Sequence, residues 1–189
     1  MRVNEIFESL QGEGGRAGEL SIFIRLAGCN RKCDFCDTEH ENSIEMSLPE
    51  IYDYIQRKEF TATWIVWTGG EPTLQLTDEI VRYFRDWGYM QAIETNGSNP
   101  LPQGLDYIAI SPKGEINPAI TRVDEVRCVY PDHKLHINNI SQLSAKLYLS
   151  PRFDGSEPNY DVINDCINYI RENPRWKLSI QIHKLLKIQ

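Results

Sequence analysis

Apolar positions along this chain fall into two rhythms. From Leu20 to Ala27 (Leu-Ser-Ile-Phe-Ile-Arg-Leu-Ala) they run almost unbroken, and Thr63 to Thr68 (Thr-Trp-Ile-Val-Trp-Thr) does the same. Such runs predict strands buried on both faces, as in a parallel sheet. Between them the period lengthens. Ser47-Leu-Pro-Glu50 has the pattern of a capping box with Pro49 in the first turn, which predicts a helix of about ten residues burying Ile51, Tyr54 and Ile55. A second helix is predicted from Thr77, with Ile80, Val81, Phe84 and Trp87 at helical spacing and Gly88 as its stop. Further strands follow at Tyr89 to Thr95, Leu105 to Ile110, Glu125 to Tyr130 and Lys146 to Leu149. A third helix is predicted from Asn159 to Arg171, then a last strand from Trp176 to Ile182 and a basic-apolar tail from His183 to Gln189.

Arg2 to Ser9 reads as a short extended stretch ahead of Leu10-Gln11-Gly12-Glu13-Gly14-Gly15, where glycine permits positive φ and close backbone approach to a ligand. Strand and helix alternate through the first half, which implies right-handed parallel crossovers. Later connections such as Gly97 to Gly104 are too short for a crossover helix. The expected fold is α/β: a partial, open (β/α) barrel with reduced helix content, in a single domain over 1–189. Ligands gather at the carboxyl ends of parallel strands. Here those ends carry Gly28-Cys29, Gly69-Gly70-Glu71, Glu94-Thr95-Asn96, Ser111-Pro112-Lys113 and Ser150-Pro151, all expected to face one site.

Composition narrows the class. A formal net charge of −7 argues against a broad nucleic-acid footprint, and no apolar run approaches the length of a membrane span. The chain opens on Met-Arg-Val-Asn-Glu-Ile-Phe, with no charged-then-apolar leader, so a cytoplasmic location is expected. In that setting clustered cysteines point to metal or catalysis rather than disulfides. Cys128 alternates with Val126 and Tyr130, and Cys166 shares a helix face with Ile163, Ile167 and Ile170, so both read as core residues. His133 and His136 read as solvent-facing, and Trp64 and Trp67 as packing.

The chemistry concentrates in Ala27 to Thr38, where Cys29, Cys33 and Cys36 stand at C-x3-C-x2-C spacing. A zinc-binding structural protein is one reading, with His40 as fourth ligand, although no second ligand pair follows. An iron–sulfur cluster is the other. A cubane usually takes four cysteines, so three leave one iron open to another ligand.

This motif, with Phe35 just before the last cysteine, resembles the signature of the radical S-adenosylmethionine family, and Gly69-Gly70-Glu71-Pro72 resembles that family's glycine-turn motif. The resemblance implies a [4Fe–4S] cluster on Cys29, Cys33 and Cys36 whose open iron is chelated by S-adenosylmethionine. One electron from the cluster then cleaves that cofactor to a radical that abstracts hydrogen from substrate. Phe7-Glu-Ser-Leu-Gln-Gly-Glu-Gly14, Cys36-Asp-Thr38, Thr68, Glu94-Thr-Asn-Gly97, Ser111-Pro-Lys113 and Gln181-Ile-His-Lys184 resemble the family's ring-contracting members. Those convert 6-carboxy-5,6,7,8-tetrahydropterin to 7-carboxy-7-deazaguanine with loss of ammonia, on the path to queuosine in tRNA. A glycyl-radical activase of the same family is the alternative enzyme; Cys36-Asp37-Thr38 and Gln11-Gly12 favour the small carboxylated substrate.

The resemblance also implies roles. Phe35, Cys36, Asp37, Gly70, Glu94, Ser111, Pro112 and Lys113 would bind S-adenosylmethionine, and Thr38 would bind Mg²⁺. Leu10, Gln11, Gly12, Arg25, Thr68, His183 and the carboxylate of Gln189 would bind the pterin. Arg25 fits on physical grounds, since a cation on an apolar strand needs an anionic partner. Leu149-Ser150-Pro151 departs from the family, which commonly has a glutamine there. A flavodoxin as electron donor and a homodimer are implied as partners.

Overall fold

In a computed structural model, which describes residues 1–34, 36, 38–131 and 145–188, the apolar runs become the middle of one sheet. Its strands among the described residues are β1 (Arg2–Leu10), β2 (Leu20–Leu26), β3 (Ile44–Glu45), β4 (Trp64–Gly69), β5 (Met90–Thr95), β6 (Tyr107–Ile110), β7 (Glu125–Tyr130), β8 (Lys146–Pro151) and β9 (Trp176–Leu178). They lie in the order β3-β1-β2-β4-β5-β6-β7-β8-β9. From β2 to β9 every pairing is parallel. The edges do not meet, so this is the open, partial barrel expected.

Each helix begins where its cap dictates. For α1 (Leu48–Arg57), the Ser47 Oγ accepts from the Glu50 amide at 3.4 Å while the Glu50 carboxylate accepts from the Ser47 amide at 2.7 Å. Thr77 caps α2 (Asp78–Asp86) and Asn159 caps α3 (Tyr160–Glu172). Caps of this kind contribute about 1 kcal/mol each. The sheet's outer face and these helices share a core that includes Ile24, Trp67, Ile93, Cys128, Ile51, Ile55, Phe84 and Cys166. Burying an aliphatic or aromatic side chain there is worth about 1.5–3 kcal/mol.

Four expectations change. Arg2–Leu10 is a full strand, and it pairs antiparallel with β2, Leu10 opposite Leu20. The intervening segment 11–19 is shorter than the dozen or so residues that a parallel crossover needs, so a hairpin is what the chain can make. Trp87 is not on the buried stripe: it ends α2 53% exposed, its ring stacked on Tyr52 at 4.2 Å. Tyr54 is only half-buried. After β9 the chain turns into a short helix, α4 (Ile182–Leu186), rather than continuing as strand.

The inner face holds a smaller apolar cluster of Phe7, Phe23, Val66 and Ala92. Along the same face the register then brings Arg25 beside Thr68, and Glu94 in line with Ala109 and Glu125. The change from apolar to charged side chains on one face marks where the site begins.

Candidate active site

The three-cysteine loop is pinned at both ends. The Gly28 amide donates to the His40 carbonyl at 2.9 Å, closing its base, and Asn4 Nδ2 donates to Glu39 Oε2 at 2.9 Å, tying it to β1. Inside the loop the Cys36 amide donates to the Cys33 carbonyl at 3.1 Å. Asn96, just after β5, donates to Asn30 Oδ1 at 2.9 Å, so the loop also rests on a neighbouring strand end. None of the three cysteines is in a disulfide, and all three line one cavity of about 620 Å³. Among the described residues no three of His, Cys, Asp and Glu converge as a single zinc ion requires. Three thiols lining one cavity fit a cluster that takes one thiolate per iron.

The glycine turn is built against this loop. The Glu71 amide donates to the Gly28 carbonyl at 2.9 Å, and a Cβ on Gly70 would lie 2.1 Å from that same oxygen. The two motifs therefore form one packed unit. Glu71 itself is fully buried. Its carboxylate accepts from the Thr73 amide (3.1 Å), the Thr73 hydroxyl (2.6 Å), the Thr95 hydroxyl (2.7 Å) and the Asn96 amide (2.8 Å). Beyond β6, Lys113 Nζ donates to Ser111 Oγ at 2.7 Å. Burial lowers the Lys113 pKa, while Cys33, Cys128 and Glu13 favour its charge.

Deeper in, Glu94 gathers the polar groups. Its Oε1 accepts from Gln11 Nε2 at 2.9 Å and from Arg127 Nη2 at 2.6 Å, and its Oε2 accepts from Thr68 Oγ1 at 3.3 Å. Burial alone would raise the Glu94 pKa; the charge and hydrogen bond of Arg127, with Gln11 and Thr68, outweigh it and hold the carboxyl below its ordinary value. Arg127 also pairs with Glu13 (3.3 Å) and Glu125 (3.0 Å). Burial opposes its charge, and the three carboxylates overcome that and raise its pKa.

The glycine-rich hairpin loop after β1 floors this region. The Gly14 amide donates to Ser179 Oγ at 2.9 Å, the Gly15 amide to Glu125 Oε2 at 2.6 Å, and the Ile182 amide to the Gly12 carbonyl at 3.0 Å. It thus reaches from the β1 side to residues beyond β9 at the opposite edge. The glycines are required by the protein's own side chains. A Cβ on Gly14, where φ is +71°, would lie 2.2 Å from Glu125 Oε1, and one on Gly12 would lie 1.9 Å from His183 Nδ1.

Of the expected residues, Cys29, Cys33, Cys36, Thr38, Thr68, Gly70, Glu94, Ser111 and Lys113 line the cavity. Gln11 touches it through Glu94, and His183 backs Gly12. Pro112 is buried beside Lys113, and Leu10 is half-buried at the end of β1. Arg25 has an anionic neighbour in the protein itself, Glu5 at 3.4 Å, and does not line this cavity. Ser150 does line it, buried, with no hydrogen-bond partner for its hydroxyl among the described residues. Cys128 and Cys166 are core residues whose thiol pKa values burial pushes up to about 12. Phe35, Asp37, Gln189, His133 and His136 lie outside the described residues. Arg127, Val129, Arg152, Phe153 and Asp154 line the cavity but belong to no motif read from the sequence, and Glu13, Gln181 and Lys184 line it from motifs in which they had no role of their own.

Comparison with known proteins agrees with this geometry. Residues 23–130 match the radical SAM superfamily. The chain is 39% identical to the 7-carboxy-7-deazaguanine synthase of Bacteroides thetaiotaomicron, covering 100% of this chain and 98% of that one. It is 38% identical to the protein of the same name from Neisseria meningitidis serogroup B, covering 100% and 94%. The fold superposes on the crystal structure of QueE from Escherichia coli with a TM-score of 0.79, at 26% identity over 95% of this chain and 93% of that one.

Proposed function

The chain belongs to the radical S-adenosylmethionine superfamily and, within it, to the 7-carboxy-7-deazaguanine synthase family, and from this membership we propose how its residues divide the work. It is a lyase that contracts 6-carboxy-5,6,7,8-tetrahydropterin to 7-carboxy-7-deazaguanine with loss of ammonia, in queuosine biosynthesis. One observation carries the division. A single cavity is lined both by the cysteine loop and glycine turn and by Glu94, Thr68 and Arg127.

When bound, the [4Fe–4S] cluster and S-adenosylmethionine supply a hydrogen-abstracting radical. Cys29, Cys33 and Cys36 hold the cluster, and Gly70 with Ser111 and Lys113 beds the cofactor. Glu94 faces the pterin rather than the cofactor; what supports this is its bonding to Gln11 and Thr68. Phe35 and Asp37 complete the cofactor bed, and His183 and Gln189 the pterin site, on the strength of the resemblance. We further propose a cytoplasmic homodimer reduced by a flavodoxin, acting as one domain.

The test is anaerobic reconstitution with iron and sulfide, reduction, and incubation with S-adenosylmethionine and the carboxytetrahydropterin. Deazaguanine and ammonia are expected. Formation of 5′-deoxyadenosine without deazaguanine would keep the superfamily and remove the substrate. Thr38 is assigned to Mg²⁺, a hard ion that keeps most of its waters and takes few protein oxygens. Thr38→Ala is expected to weaken the magnesium dependence of turnover at least tenfold, about the loss seen when metal-site support is removed. An unaltered magnesium titration would remove that role.

A further inference from the structure

Arg127 sits 6% exposed on the sheet's inner face, where β7 alternates charged residues with the core residues Val126 and Cys128. Its guanidinium meets carboxylates from three parts of the chain. Nη2 donates to Glu94 at the end of β5 (2.6 Å), and Nη1 donates to Glu13 on the floor loop (3.3 Å). Nε lies 3.0 Å from Glu125 on its own strand, a charge contact without hydrogen-bond alignment. We propose that Arg127 is a positioning residue for the ring contraction: its fork fastens Glu94, the carboxylate that faces substrate, to Glu13 of the loop that floors the cavity. This rests on the function proposed above.

The geometry needs arginine. A guanidinium presents donors in a fixed plane, and two different nitrogens serve Glu94 and Glu13 here. A lysine ammonium is a point charge on a flexible stem and cannot hold both in the same directions. The arrangement also shapes what Glu94 offers. Oε1 is occupied by Arg127 and Gln11, whereas Oε2 has only the longer contact from Thr68, so Oε2 keeps acceptor capacity on the cavity side. Glu94 and Thr68 both line the cavity, where a substrate N–H can reach that oxygen.

Electrostatics point the same way. The charged groups around Glu94 are Arg127, the two further carboxylates that Arg127 holds (Glu13 and Glu125), and Lys113 close to Glu13 and Arg127. Removing the guanidinium leaves Glu94 buried without its cation, so burial is no longer outweighed and its pKa rises. If Glu94 works ionised, activity is present above its pKa and lost as pH falls through it. The acid limb of kcat/KM therefore moves to higher pH when Arg127 is lost.

The experiment compares pH profiles of kcat and kcat/KM for the reconstituted wild type, Arg127→Lys, Arg127→Met and Glu94→Gln, with the cluster's visible absorption and the circular dichroism melt as folding controls. Arg127→Met is expected to lose about 100-fold in kcat, the scale of an ångström of misplacement, with its acid limb moved up. Arg127→Lys should recover part of the loss with the limb near its wild-type position, and Glu94→Gln should lack the limb. A folded Arg127→Met with the wild-type limb and wild-type KM would overturn the proposal. If Arg127→Met does not fold, Arg127→Lys decides: a tenfold or greater fall in kcat supports the proposal, and wild-type kcat and KM overturn it. Deazaguanine formation by the wild type separates the two levels. Its absence removes the function itself, whereas its presence with unresponsive Arg127 variants removes only this inference.

Discussion

Gly70→Ala is expected to reduce S-adenosylmethionine cleavage by about 100-fold or more, on the scale that a misplaced reacting group costs. The added Cβ would lie 2.1 Å from the Gly28 carbonyl oxygen and 3.0 Å from the Cys29 Cβ. The first neighbour is backbone that also accepts from the Glu71 amide, so it cannot swing away as a side chain end would. Either the glycine turn or the base of the cysteine loop has to move. Both outcomes separate the cofactor bed from the cluster it must meet. The measurement is 5′-deoxyadenosine formed per reduced cluster. Cleavage within tenfold of wild type, at wild-type cluster content, would show that the two motifs are not packed as one unit.

The second large effect is on stability. Glu71→Gln is expected to destabilise the fold by about 3 kcal/mol, the range for a buried group left facing an unsatisfied partner. The carboxylate is an acceptor on both oxygens, with four donors from Thr73, Thr95 and Asn96. The hydroxyls can rotate to accept from an amide NH₂. The Asn96 and Thr73 backbone amides cannot, and since each faces a different oxygen, whichever becomes NH₂ sets one of them against another donor. For a chain of this size 3 kcal/mol corresponds to a melting point roughly 10 °C lower. Because Asn96 also carries Asn30, cluster retention on heating should fall in step. A melting point within 2 °C of wild type, by calorimetry, would contradict the prediction; that bound is about the shift expected from less than 1 kcal/mol.

Much of the site is legible in the sequence because strand ends in a parallel sheet must converge. The cysteine loop, the Gly70 turn, Glu94 and Lys113 each follow an apolar run, and each lines the cavity. What is illegible has physical reasons. Alternation in Arg2 to Leu10 carries no strand direction, so the antiparallel pairing of β1 had to come from the length of the connection. Arg127 was legible in principle. Glu125 and Arg127 alternate with Val126 and Cys128 on a strand paired on both sides, and a charge repeated on a face that cannot meet bulk water implies a polar interior. The occupant of the floor loop is illegible, because glycine looks the same whether a ligand or the protein's own Glu125 and His183 approaches it. Trp87 fits the helical period but falls where α2 has run past the sheet, and periodicity does not carry that limit.

The floor loop also constrains the order in which the molecule can be made. Gly14 waits for Ser179, 165 positions later, and Gly12 for Ile182. Closing a link across such a separation costs conformational entropy before the contact returns anything, and it ranks among the slow steps of folding. On a ribosome the sheet can grow strand by strand from β2, each new strand finding its parallel neighbour already in place. Segment 11–18 cannot settle until the chain beyond β9 has been synthesised. The floor of the cavity therefore settles only after β9 has been made, although the residues that build it, 11–18, are made before β2.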